Sequence, residues 1–133
     1  MSIMSALGLG VGILLALMIG LNLWIRLRSK AMEGKPLPDV PGPIGNKLAR
    51  AKHALVYFMS PGCAACRPLT PQVQKLSRQN PNSVFVVDVS SHLDVARALH
   101  VLATPSTLEV EQGRVVKVHV GVLPSDVLAR FAR

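Results

Sequence analysis

Residues 3–25 carry no charged side chain, and a run of that length leaves the backbone few choices. About 20 apolar residues cross a hydrocarbon core of about 30 Å, where only a helix satisfies its own N–H and C=O groups along one segment. The run is therefore predicted to be a transmembrane helix. A cleaved signal peptide would need a basic n-region, an apolar core of about 7–15 residues and a small-residue exit. No basic residue precedes Arg26, the run is longer, and no A-x-A-like site follows it, which favours a retained anchor. Gly8, Gly12, Ala16 and Gly20 recur every fourth residue and line one face, along which a partner helix can approach closely. Trp24 stands where an interfacial aromatic belongs. Arg26, Arg28, Lys30 and Lys35 follow. By the positive-inside rule they put the remaining chain on the cytoplasmic side of a cell (inner) membrane crossed once.

Taking the run away leaves roughly a hundred residues, the size of one small domain. Lys and Arg number 15 against 7 Asp and Glu, yet beyond the cluster behind the apolar run they are scattered. Nucleic-acid binding wants them clustered and interleaved with exposed aromatics, so bilayer lipid is the expected partner and nucleic acid is not. The two cysteines, Cys63 and Cys66, form one C-x-x-C. A loop so short makes a poor structural staple, and two thiols fall short of the four ligands of a zinc site. His53, His92, His100 and His119 share no ligand spacing. No metal ligand and no bound cofactor is assigned; the redox-active Cys63–Cys66 pair is the only reactive centre proposed.

Three regions follow: 1–30, an anchor with its basic flank; 31–49, a linker; and 50–133, a globular domain. The linker holds Gly34, Pro36, Pro38, Pro41, Gly42, Pro43 and Gly45. Such a stretch is expected to be semi-extended and, at about 3.1 Å per residue, to hold the domain some tens of ångströms from the bilayer. A short helix is expected at 46–52. In the domain, 54–59 is a nearly continuous apolar run, the pattern of a buried parallel strand. Ser60-Pro61-Gly62 breaks it, and Cys66, Leu69, Val73 and Leu76 recur at helical spacing up to Gln79. Residues 84–87 form a second buried strand and 93–99 a helix. Residues 107–111 and 115–120 form a hairpin around Gln112-Gly113. Residues 124–132 close the chain as a helix with Pro124 near its first turn. A β-α-β unit followed by an antiparallel pair gives an α/β fold, a small mixed sheet with helices on both faces.

This order, with C-x-x-C at the exit of the first strand, resembles the thioredoxin family. Pro71 matches the family's helix-kinking proline, Thr104-Pro105 its cis-proline, Gly113 its hairpin glycine and Gly121 the glycine before its last helix. The resemblance covers residues 54–132 and implies a thioredoxin-like three-layer fold behind one transmembrane helix. The segment from Phe58 to Cys66 is also similar to membrane-tethered thioredoxin-like proteins of bacteria, including the methylamine-utilisation maturation type. Those work outside the cytoplasm, so the resemblance implies the periplasmic side where the charges imply the other. There are departures: Gly62 replaces the family's Trp before the first cysteine, Ala64-Ala65 its Gly-Pro, and Tyr57 its buried acid. The family's additional first strand and helix also have little room here.

The chemistry follows from position. A thiolate is the nucleophile in disulfide exchange, and its pKa falls at a helix N-terminus or beside a cation. Cys63 is expected at the start of the helix, with Gly62 and Ala64 flanking it at the substrate surface and Arg67 as the candidate cation. Cys63 attacks a partner disulfide and Cys66, one turn later, resolves the mixed disulfide. The resemblance gives Pro105 a place in the catalytic site and exposes the Thr104 backbone for an added substrate strand. Asp88, at a strand end, suits a capping role better than that of the missing acid. The partner is then a protein thiol or disulfide. The competing readings are a non-enzymatic accessory subunit of a membrane complex and a copper-delivery protein.

Overall fold

The structure, a computed structural model, describes residues 2–132. Helix α1 (Ile3–Lys30) is about 42 Å long at 1.5 Å per residue, long and apolar enough to cross a membrane. Its apolar side chains are exposed, and nothing among the described residues approaches Gly8, Gly12 or Gly20. A mixed four-stranded sheet forms the body, in the order β2 (Val84–Asp88), β1 (His53–Met59), β3 (Ser106–Glu111), β4 (Arg114–Val120). Strands β1 and β2 are parallel, and the other pairs antiparallel. The helices are α2 (Pro43–Arg50), α3 (Thr70–Gln79), α4 (Leu93–Ala98) and α5 (Ser125–Phe131).

Alternation along β1 sorts the core into two layers. Ala54, Val56 and Phe58 pack with Leu48 of α2, Val95 and Ala96 of α4, and Met32 and Val40. Leu55 and Tyr57 face the other way, onto Val73 and Leu76 of α3 and Val127 and Phe131 of α5. The expected three-layer architecture is present. The hairpin turn is Gln112-Gly113, both at positive φ, as the twist of a two-residue hairpin demands.

The linker differs from its expectation. Residues 33–37 are not a free tether but lie against the outer edge of β4. Gly34 N–H donates to the Val115 carbonyl at 2.7 Å, Val115 N–H to Lys35 at 3.0 Å, and Leu37 N–H to Gly113 at 2.7 Å. The Glu33 carboxylate accepts from Val118 N–H at 2.9 Å. An uncovered β4 would present unpaired N–H and C=O groups; the linker supplies partners that water would otherwise provide. Met32 and Val40 enter the core, so the segment is anchored at both ends. The helix expected at 46–52 starts earlier, at Pro43, because proline suits the first helical turn.

Candidate active site

Both candidate loops leave the same end of the sheet. The Cys63–Cys66 loop follows Met59 at the end of β1, and the Thr104-Pro105 loop enters β3 at Ser106, which lies opposite Phe58. The Ser60 and Thr104 hydroxyls face each other at 3.5 Å. The Ser106 hydroxyl donates to the Ala103 carbonyl at 2.6 Å, closing the turn before β3. Thr104-Pro105 is cis, as the resemblance implied. Pro105 is buried and Thr104 half-buried. Gly121, at φ 89°, brings its N–H to the Pro105 carbonyl at 2.8 Å, so this glycine ties the β4 exit to the cis-proline loop.

Cys63 and Cys66 are joined as a disulfide, their Cα atoms 5.3 Å apart. The two cysteines are unequal in exposure: Cys63 is half-buried, whereas Cys66 is sealed. The helix expected to run unbroken from Cys66 is absent. A 3-10 turn spans Ala64–Cys66, and α3 begins only at Thr70. Pro68 and Pro71 explain the break, since each lacks the N–H that a continuous ladder would use. Pro71 thus sits in the first turn of α3 rather than kinking a longer helix. Cys63 occupies the N-cap position of the 3-10 turn without a side-chain capping bond, and the N–H groups of Ala64 and Ala65 have no backbone partner among the described residues. Donors therefore remain beside Cys63, without a long helix behind them.

Gly62 and Ala64 are exposed beside Cys63, and Arg67 is exposed at the end of the 3-10 turn. Arg67 makes no ion pair among the described residues. Tyr57, where the family carries its acid, is fully buried, and its hydroxyl meets the Thr70 hydroxyl at 2.8 Å. Burial raises its pKa, opposed in part by the Thr70 hydrogen bond. Asp88 is half-buried, and its Oδ1 accepts from the Ser90 hydroxyl at 2.6 Å and the Ser90 N–H at 2.9 Å. Those bonds lower its pKa; it caps a turn, as expected.

One polar cluster escaped sequence reasoning. Glu109, in β3, is buried, and its Oε1 accepts from His119 Nε2 at 2.9 Å and from Arg130 of α5 at 3.0 Å. The signal was an acid inside an otherwise apolar-to-threonine strand. Its register opposite Leu55 turns it toward α5, two residues further from the loops than Thr107. Among the described residues no group of three or more His, Cys, Asp or Glu side chains is gathered to hold a metal ion.

A C-x-x-C disulfide with one partly exposed cysteine, set beside a cis-proline loop at the end of this sheet, defines a thiol–disulfide oxidoreductase. Comparison with known proteins agrees. The Thioredoxin family model matches residues 45–133. The chain is 33% identical over 82 residues to the H-type thioredoxin of Fagopyrum esculentum, covering 61% of this chain and 71% of that one. It is 31% identical over 81 residues to the mitochondrial thioredoxin of Mus musculus, covering 59% of this chain and about half (49%) of that protein. The oxidised mitochondrial thioredoxin 3 of Saccharomyces cerevisiae shares the fold, with a TM-score of 0.54 at 22% identity over 65% of this chain and 82% of that chain. The chain belongs to the thioredoxin family.

Proposed function

We propose that this protein is a membrane-tethered thiol–disulfide oxidoreductase acting on protein cysteines. The observation that carries this reading is the asymmetry at the site: Cys63 is accessible and Cys66 sealed, with the cis-proline loop alongside. In the reducing direction, the Cys63 thiolate attacks one sulfur of a partner disulfide. The other partner sulfur leaves as a thiolate and takes a proton. Cys66, deprotonated, then attacks the Cys63 sulfur and expels the second partner sulfur, which is protonated in turn. The partner gains two electrons and two protons, and the pair becomes the disulfide seen here. An external dithiol restores it by the reverse exchange.

The backbone of Thr104 engages no backbone group among the described residues, which suits pairing with an extended partner segment. Gly62 and Ala64, lacking bulk, leave the approach to Cys63 open. Arg67 adds positive charge near the sulfur. Helix α1 is the tether, its stripe at Gly8, Gly12, Ala16 and Gly20 the surface for a partner helix, and its basic flank favours the cytoplasmic face over the periplasmic alternative. The reduced full chain should reduce insulin disulfides, and Cys63→Ser should abolish that activity; an unchanged rate in the variant would refute the assignment. Cys66→Ser in membranes should accumulate mixed disulfides, and labelling Cys63 with a membrane-impermeant reagent from each side reads the orientation.

A further inference from the structure

The docked linker sets the direction in which α1 leaves the domain. From Glu33 to Leu37 the chain runs antiparallel to β4, meeting Val118, Val115 and Gly113 in turn. Traced backwards, α1 therefore rises along β4 toward Val120 and Val122. Leu23, Arg26, Leu27 and Lys30 face Lys117–Val120, Val122 and Pro124 across a cleft of about 370 Å³. From Lys30 back to Leu23 is about 10 Å of helix, and Val118 to Val122 is about 13 Å of strand. The last apolar turns of α1 thus lie level with Val122. Val122 follows Gly121, whose N–H is bonded to Pro105. The end of the sheet toward which α1 runs is the end that carries the disulfide.

Two further observations agree. Outside α1, the exposed large apolar residues among those described are Leu93 (51%), Leu102 (47%), Val116 (38%) and Val122 (85%). Leu93 lies beyond the end of β2, Leu102 precedes Pro105 and Val122 follows Gly121, so all three sit around the redox loops; only Val116 does not. The cleft itself is rimmed by Arg26, Lys30 and Lys117, with no acidic side chain lining it. Apolar side chains beside cations and no acid match an interface of acyl chains and phosphate headgroups.

We infer that the redox face is turned toward the bilayer, so that its substrate is a cysteine-bearing segment of a membrane protein lying at the headgroup layer. This rests on the exchange activity proposed above and on α1 as the span, and it narrows the substrate class from protein disulfides in general to those held at the membrane surface. A soluble partner, by contrast, would have to enter between the domain and the lipid.

The test uses the reduced full chain in phosphatidylcholine vesicles. The probes are two synthetic disulfide peptides with the same doubly acylated anchor. One carries its disulfide next to the lipid; the other carries it beyond a proline-rich spacer of about 15 residues, or about 45 Å. The near probe should react roughly tenfold faster or more, by effective concentration; equal rates, or a preference for the far probe, would overturn the inference. The unanchored peptide reports exchange itself, and its failure to react would count against the proposed activity instead. Orientation is read independently of activity by nitroxide headgroup quenching. A fluorophore on Cys63 in Cys66→Ser should be strongly quenched. One on Asn82→Cys, in a background with both native cysteines changed to Ser, should not be. Asn82 precedes β2 at the opposite end of the sheet, about 20 Å away. Equal or reversed quenching would overturn the inference.

Discussion

The two faces of the sheet are built differently. The face under α2 and α4 is apolar except for Ser106 at its loop end, whose hydroxyl is bonded to Ala103, with Phe58, Leu48, Val56 and Leu108 fully or almost fully buried. The face under α3 and α5 threads polar groups through its apolar packing: Tyr57 to Thr70, Glu109 to His119 and Arg130, and the buried Thr107 hydroxyl, which has no partner among the described residues. Thr107 lies opposite Tyr57 and Glu109 opposite Leu55, so all three belong to this second face. One face supplies cohesion by burial. The other adds directional bonds that pin α3, which follows the redox loop, and α5 against the sheet.

That contrast can be broken by substitution. Phe58→Ala, on the dry face, should cost about 3–5 kcal/mol because a cavity is left behind; a loss under about 1 kcal/mol in urea unfolding would show that this face is not the main source of cohesion. Glu109→Ala should cost less, about 1–3 kcal/mol, because Arg130 is half exposed and can turn to water while His119 loses its partner. Tyr57→Phe should cost about 1 kcal/mol through the lost Thr70 bond. Thr107→Val should be neutral or stabilise by up to about 1 kcal/mol, since it removes a buried hydroxyl without a partner. Destabilisation there would mean that the hydroxyl is satisfied by water.

Tyr57 also gives a pH test. Its folded pKa lies above the unfolded value of 10.0 because burial disfavours the phenolate. Below pH 10 its contribution is complete, and it is lost as pH rises through the folded pKa, because the unfolded chain releases the proton first. It is the sole tyrosine, so phenolate absorbance reports it alone. Absorbance should lag behind a free tyrosine's in the folded protein, and Tyr57→Phe should flatten that part of the alkaline stability loss. Ordinary titration near pH 10 would show that the ring is wet.

Much of the fold was legible because its signals are local. The charge-free run reads as α1, the apolar runs as β1 and β2, and Gln112-Gly113 as the hairpin turn. Pro105 was legible through the family pattern around it. The helix after Cys66 was misread because apolar spacing reports which residues face inward, not whether each N–H exists to extend the ladder; Pro68 and Pro71 decided that. Glu109 was missed because an acid in a strand resembles an outward residue until the register is known.

By itself the sequence determined the elements, the apolar helix and the reactive pair, since each is written in side-chain type and spacing. Tertiary structure alone decided that residues 33–37 pair with β4, and hence which end of the sheet α1 passes. Edge pairing uses backbone N–H and C=O groups that nearly every residue carries, so it leaves no mark in residue type. The direction of the redox site relative to the apolar helix was settled there.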